Sequence, residues 1–305
     1  MDINIATYAD GDYMQHACVL LASINDVADD RHKYQIYLFY SECEAKNIVK
    51  TKKTIDSFKP SVNVKLINVK FPHTKDLPVK RENINSSIYN KMLIYDELPD
   101  KIEKIIFFDA DIVVKTDPAE LYKINLNGNT LGAVREKLYL VDKKNDKRLK
   151  LLNINSYREY FNSGVLLIDL RKWRDEKITQ RSFDFANKYG HLTPMHDQDA
   201  LNAVVCGDWE SISPLWNPRG LNLLEKDEKV FSKEELYKSD NYHLIHFSGK
   251  NKPWLYMSMH KGKKIYLKYI NTTEFREYKF PDFSIKNVFK KYGNFGKSLF
   301  RKHLL

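Results

Sequence analysis

Lys104-Ile105-Ile106-Phe107-Phe108-Asp109-Ala110-Asp111 is an apolar, strand-like run that ends on two carboxylates. Asp is almost never left buried without a partner, so a pair of them here calls for a cation. Spacing two at a strand end can bring both carboxylates toward one point, and hard oxygen ligands suit Mg²⁺ or Mn²⁺. The small Ala110 between them would let a charged ligand approach the backbone. Taken alone, a D-x-D is more often a polar turn closing a strand. The rest of the chain reverses those odds.

Upstream, residues 3–6 read as a short buried strand, followed by a polar turn from Tyr8 to Asp12. Residues 13–24 have helical periodicity, with Ala17, Leu20, Leu21 and Ile24 on one face. Residues 34–40 predict a strand, 44–58 a helix, 62–69 a strand, 88–98 a helix and 102–108 the strand leading to the carboxylates. This β-α-β-α-β rhythm is that of an α/β protein with a central, mostly parallel sheet flanked by helices. Downstream, 131–134, 165–170 and 242–247 predict strands, and 176–189 and 197–206 helices. Residues 135–157 are polar, lysine-rich and weakly patterned, and a connection that long is functional or mobile. Open α/β sheets bind ligands beyond the C-terminal ends of their strands. Asp10, Asp12, Asp109 and Asp111 are therefore expected on one rim.

The 305 residues are 43% hydrophobic and 13% aromatic, enough for a substantial core, so disorder is not the default. Cys18, Cys43 and Cys206 are scattered without C-x-x-C spacing, which argues against a disulfide framework or zinc site and fits a reducing cytoplasm. The N-terminus opens on a strand-like segment with no basic region and no long apolar core, so neither a signal peptide nor an anchor is expected before the fold. No apolar run reaches the ~18 residues needed to span a bilayer. The net charge of +10 is concentrated at 283–305, which has no acidic residue, and in two further stretches, 137–150 and 250–268. A basic surface attracts phosphates, and its sign alone does not say whose.

Three more segments join the acidic pair. Phe161-Asn162-Ser163-Gly164-Val165-Leu166-Leu167-Ile168 sets small polar groups directly before an apolar strand. His196-Asp197-Gln198-Asp199-Ala200-Leu201-Asn202 clusters acids and an amide at a helix start. His246-Phe247-Ser248-Gly249-Lys250-Asn251-Lys252-Pro253-Trp254 puts a histidine at a strand end, then a glycine and lysines. Together with Ala6-Thr7-Tyr8-Ala9-Asp10-Gly11-Asp12-Tyr13, these motifs resemble the family 8 retaining glycosyltransferases, in the right order over more than four-fifths of the chain. That family includes glycogenin and bacterial lipooligosaccharide galactosyltransferases.

The resemblance implies a GT-A fold over residues 1–270, a divalent metal (usually Mn²⁺, with Mg²⁺ as the alternative) and a UDP-sugar donor. It implies metal ligation by Asp109, Asp111 and His246. Asp10 would hydrogen-bond uracil, with Tyr13 and Ile84 near the base and Thr7 near the nucleoside. Ala110 and Gly249 would border the nucleotide, and Lys252 would face the phosphates. Lys91 matches a basic residue at the donor sugar and phosphate. Relatives that transfer galactose often carry Arg there and glycogenin-like ones Lys, so this position leaves the donor open between galactose and glucose. Asn162, Ser163, Asp197, Gln198 and Asp199 would line the sugar and the reacting face, with Gln198, Asp197 and Lys91 as catalytic candidates. The acceptor would be a glycan, glycolipid or glycosylated peptide, with 135–157 over it.

Chemistry gives these roles separate support. A departing diphosphate needs its charge neutralised, which a metal and Lys252 can do. Mixed carboxylate–imidazole ligation suits Mn²⁺ better than Mg²⁺. An amide such as Gln198 is a poor nucleophile but can stabilise positive charge at an anomeric carbon, which favours same-face attack over a covalent intermediate. Each residue has a plainer role too: His246 as a satisfied strand histidine, Asn162 as a backbone cap, Asp197 and Asp199 as helix N-terminal charges. Trp173 and Trp254 read as packing anchors. The competing functions are an inverting transferase, a sugar-phosphate nucleotidyltransferase and a basic nucleic-acid binder. Thr7 to Tyr13 has one glycine and no Lys or Arg, unlike a nucleotidyltransferase phosphate loop, and no nucleic-acid module is recognisable.

Residues 271–305 form a basic, aromatic extension. Ile285, Val288, Phe289, Tyr292 and Leu299 recur at helical spacing, Ser284 can cap the start, and Lys286, Lys290, Lys291, Lys297, Arg301 and Lys302 supply charge. Such segments lie in a membrane interface rather than crossing it. The expectation is a cytoplasmic protein peripheral to an anionic membrane face.

Overall fold

The computed structural model describes residues 1–71, 74–79, 86–136, 146–155, 159–218 and 242–291. The strands are β1 (Asp2–Asp10), β2 (Lys33–Ser41), β3 (Val62–Asn68), β4 (Lys104–Phe108), β5 (Ile112–Val114), β6 (Leu131–Arg135), β7 (Phe161–Asp169), β8 (Trp209–Ser211) and β9 (Leu244–His246). The helices are α1 (Met14–Val27), α2 (Ala45–Ile55), α3 (Asn90–Leu93), α4 (Pro118–Tyr122), α5 (Asp146–Leu151), α6 (Leu170–Asp175), α7 (Ile178–Tyr189), α8 (Asp197–Val205) and α9 (Lys263–Ile270).

A seven-stranded sheet runs β3-β2-β1-β4-β7-β6-β8, and β5 pairs with β9 in a separate two-stranded ribbon. β1, β2, β3 and β4 are mutually parallel, as is β6 with β8, while β7 is antiparallel to both β4 and β6. The sheet is thus mixed and mostly parallel, as expected. Its β4 and β7 are apolar on both faces because both faces are covered. Ile3, Ile5, Ile106, Phe108 and Val165 pack with α1, α9 and the β5–β9 ribbon on one side. Ile105, Phe107, Leu166, Ile168 and Trp173 pack with α7 and α8 on the other.

Some elements differ from the sequence reading. β1 continues through Tyr8 to Asp10, where a turn was expected, because its whole length pairs in register with β2. β7 begins at Phe161, so Asn162-Ser163-Gly164 lie inside the strand rather than before it. The helix expected at 88–98 is a short α3 between two 3₁₀ turns. Its buried positions are Tyr89, Asn90, Met92, Ile94, Tyr95 and Leu98. Part of the connection at 135–157 is ordered as α5.

At the C-terminal end, Phe275 is buried, Tyr278 OH donates to Trp254 C=O at 2.6 Å, and the Asp282 carboxylate accepts the Tyr256 and Met257 N–H groups. Residues 285–291 are helical, with Asn287 N–H bonded to Ser284 Oγ at 3.1 Å. Among the described residues, no helix is long and apolar enough to cross a membrane.

Candidate functional site

The site grows from the rim where β4 gives way to β5. The chain turns through Asp109-Ala110-Asp111 between these strands, so both carboxylates leave the same edge. β9 ends on His246, paired with Ile112, which puts the imidazole beside Asp111. Backbone bonds hold the frame: Phe247 N–H donates to Asp111 C=O at 2.9 Å and Asp109 N–H to Gly164 C=O at 2.8 Å. Asp109, Asp111 and His246 each offer one ligand atom within 4.8 Å of the others. His246 Nε2 lies 3.2 Å from Asp111 Oδ1 and 3.6 Å from Asp109 Oδ2.

The histidine tautomer follows from a chain of bonds with a fixed start. Gly164 N–H can only donate, and at 2.9 Å it identifies the Asn162 atom facing it as Oδ1. That oxygen also accepts Asn217 Nδ2 at 2.7 Å, which turns Asn217 Oδ1 toward His246 Nδ1, 2.8 Å away. His246 therefore carries a proton on Nδ1, and Nε2 is the nitrogen that faces the carboxylates. Behind them the backbone must be bare: a Cβ on Gly164 would lie 2.4 Å from His246 Cε1 and 2.7 Å from Asp109 Oδ2. Two carboxylates, an imidazole nitrogen and this cleared cradle fit a divalent cation.

Two ammonium groups flank the acids. Lys252 Nζ is 2.5 Å from Asp111 Oδ2 and donates to Phe247 C=O at 2.8 Å. Lys91 Nζ lies 2.7 Å from Asp197 Oδ2, 3.3 Å from Asp109 Oδ1 and 3.1 Å from Ser163 Oγ. Burial opposes ionisation of Asp111, yet Lys252 and His246 hold its carboxyl well below the usual range. Burial also disfavours the Lys91 ammonium, but Asp109 and Asp197 more than reverse this and raise its pKa. At Asp197 burial wins over Lys91, and the carboxyl sits above its ordinary value. Two lysines and the His246 imidazole thus face three carboxylates at close range.

α8 brings Asp197, Gln198 and Asp199 beside the cluster. His196, just before it, has φ 48°, a left-handed backbone that turns the first helical residues inward. Gln198 Oε1 accepts Ser163 N–H at 3.2 Å and Asn162 Nδ2 at 3.0 Å. Its Nε2 donates to Tyr160 OH at 3.1 Å and Glu136 Oε2 at 3.3 Å. Ser163 Oγ donates to Asp197 Oδ2 at 2.9 Å. Asp199 is fully buried, its carboxylate accepting Tyr160 OH at 2.7 Å, Met195 N–H at 2.8 Å and the Arg148 guanidinium.

Several sequence-predicted residues sit differently from expectation. Thr7 is completely buried, because it shares the inward face of β1 with Ile3, Ile5 and Ala9, and its Oγ1 has no hydrogen-bond partner among the described residues. A direct nucleoside contact by Thr7 is therefore corrected to a core position. Ala110 turns its methyl into the same core, so its small size serves packing. Gly249 has φ +86° with open space around it; the turn, rather than a close neighbour within the chain, demands glycine. Asp199 is spent on Arg148 and Tyr160. Asp10 ends β1 on the expected rim, and Tyr13 follows it, 40% exposed and edge-on to Trp254 at 5.9 Å. Ile84 lies outside the described residues. Glu136, Arg148, Tyr160 and Asn217 were not anticipated. Glu136, Arg148 and Tyr160 reach the site from the connection between β6 and β7, and Asn217 from the one between β8 and β9.

The model of the family described as Glycosyl transferase family 8 matches residues 4–258. General stress protein A of Bacillus subtilis (strain 168) is 26% identical over 278 residues, covering 89% of this chain and 94% of that protein. Lipopolysaccharide 1,2-glucosyltransferase of Escherichia coli (strain K12) is 24% identical over 274 residues, covering 87% and 76%. Among solved structures, galactosyltransferase LgtC in complex with donor and acceptor sugar analogues matches with a TM-score of 0.75 at 20% identity, covering 89% of this chain and 96% of that one. At that identity the structural likeness speaks for the fold. The nucleotidyltransferase and nucleic-acid readings fall away. The chain belongs to glycosyl transferase family 8, with the GT-A fold, and is a glycosyltransferase that draws on a nucleotide-sugar donor.

Proposed function

We propose that this protein is a retaining hexosyltransferase that moves galactose or glucose from a UDP-sugar to a hydroxyl of a glycan, glycolipid or glycosylated peptide. The observation that carries the reading is the Asp109–Asp111–His246 cluster, with its inward-facing Nε2 and two flanking lysines. These three residues would hold Mn²⁺, or Mg²⁺ less readily, which when bound supplies Lewis-acid stabilisation of the departing diphosphate. Lys252 and Lys91 bring positive charge to the phosphates and, for Lys91, to the donor sugar. Asp10 and Tyr13 border the uridine, together with the turn at Gly249.

We assign Gln198 to the anomeric centre, where its carbonyl stabilises developing positive charge. Same-face attack is favoured because the nearby carboxylates are committed: Asp199 to Arg148 and Tyr160, Asp197 to Lys91 and Ser163. The acceptor proton then passes to the leaving phosphate. Asn162 and Ser163 hold the amide and Asp197 in place. The test is UDP release from UDP-galactose and UDP-glucose with Mn²⁺ and with chelator. Metal-dependent release from either donor supports the reading, and release indifferent to chelator overturns it.

We further propose a cytoplasmic protein held to an anionic membrane face by its C-terminal extension. Phe283, Ile285 and Phe289 are 60%, 76% and 73% exposed on a capped helical turn, beside Lys286 and Lys290. Lys291 is taken up by Tyr256, to whose carbonyl it donates at 2.6 Å.

A further inference from the structure

Arg148 lies on α5, within the long polar connection between β6 and β7, yet its side chain is only 8% exposed and its partner Asp199 is fully buried. Burying a guanidinium requires a purpose-built set of acceptors. Here Arg148 bonds the Asp199 carboxylate and reaches Tyr160 OH at 3.0 Å, stacking against that ring with 5.2 Å to its centroid. Tyr160 donates its hydroxyl proton to Asp199, so toward Gln198 the hydroxyl can only accept. The amide orientation of Gln198 is thereby set from both ends. Ser163 N–H demands its oxygen, and Tyr160 OH, with its one proton used on Asp199, demands its nitrogen together with Glu136 Oε2. Leu152 and Ile154, just after α5, pack with Tyr160 and Ala203 and keep this arrangement out of water.

We propose that Arg148 is a positioning residue that fixes the Gln198 carbonyl toward the reacting face through Tyr160. This rests on the proposed role of Gln198 in turnover. Without Arg148 the buried Asp199 carboxylate loses the cation that seats it, and Tyr160, whose hydroxyl donates to Asp199, moves with it. The Gln198 amide then loses one of the two acceptors that hold its nitrogen, and its carbonyl shifts from its place. A segment otherwise placed over the acceptor thus contributes to the geometry of the donor's anomeric centre.

The test uses UDP release from UDP-galactose or UDP-glucose with Mn²⁺, whichever the wild type cleaves, on Tyr160→Phe, Arg148→Lys, the double variant and Gln198→Ala. Tyr160→Phe keeps the ion pair and removes the link, together with the hydroxyl's bonds to Arg148 and Asp199. Its kcat should fall roughly 10- to 100-fold, as for small misplacements of reacting groups, while donor KM and melting temperature stay near wild type. Arg148→Lys should show the same kcat-selective loss, and the double variant should be no worse than the more impaired single one. Unchanged kcat in Tyr160→Phe, or losses that multiply in the double variant, would overturn the proposal. If Gln198→Ala itself keeps full turnover, the functional reading of that residue falls, and this proposal with it. If Gln198→Ala is impaired and Tyr160→Phe is not, only the proposal falls.

Discussion

Asn217 accepts the Nδ1 proton of His246 at 2.8 Å while donating to Asn162 Oδ1, and so joins the histidine of the candidate metal cluster to β7. Removing the carboxamide frees the imidazole to rotate and change tautomer. Asn217→Ala should weaken Mn²⁺ binding about 10- to 100-fold, the usual cost of losing the group that orients a ligand. Titration calorimetry in the presence of UDP checks this, and wild-type affinity would exclude the orienting role.

Gly164→Ala should be more damaging than its one carbon suggests. The added methyl would meet His246 and Asp109 at distances no real Cβ tolerates. Overpacking of this kind costs about 1–3 kcal/mol. The expectation is a lowered melting temperature together with lost metal affinity. A folded variant that keeps wild-type metal binding would contradict the cradle.

Gln198→Ala should lower turnover by about 10²-fold, the scale for removing one preorganised charge-stabilising group, while leaving donor affinity nearly intact. Steady-state kinetics on the cleaved UDP-sugar separates the two. Weakened donor binding with unchanged kcat would reassign the residue to positioning.

His16 predicts an acid-sensitive fold. Its ring stacks on Trp254 at 3.6 Å, bonds Tyr266 OH at 2.7 Å, and burial pushes its pKa down to about 3, with Asp111 opposing in part. An unfolded histidine titrates near 6.5, so between about 6.5 and 3 the unfolded chain binds the extra proton. Stability from this group is complete above that window and should fall by up to ~1.4 kcal/mol per pH unit within it. Denaturant melts of wild type and His16→Phe between pH 7 and 4 test the sign, since the variant should show the shallower loss.

Deleting 283–305 should release the protein from vesicles containing anionic lipid at low salt and leave UDP release intact. Ile285→Glu with Phe289→Glu should do the same, because these exposed side chains would enter the interface. Vesicle binding that survives the deletion would refute the membrane reading.

Much of the sheet could be read in advance because its strands are continuous apolar runs, as at 104–108 and 165–168. β5 escaped notice because Ile112-Val113-Val114 follows the acidic turn too closely to stand out, and because its partner β9 lies more than a hundred residues away. The meeting of Asp109, Asp111 and His246 could be anticipated from motif order, since each sits at a strand end. The buried network behind them could not. Glu136, Arg148 and Asn217 are ordinary surface types whose burial depends wholly on tertiary partners. Thr7 misled for the opposite reason: a polar residue near a motif can still follow the strand alternation into the core.

The central claim, that Asp109, Asp111 and His246 form one metal site serving a nucleotide diphosphate, is tested most directly by electron paramagnetic resonance of Mn²⁺. With UDP present, wild type should extinguish the free-ion signal at sub-millimolar protein, and Asp109→Ala, Asp111→Ala and His246→Ala should each restore it while remaining folded. Equal Mn²⁺ uptake by wild type and all three variants would contradict the account.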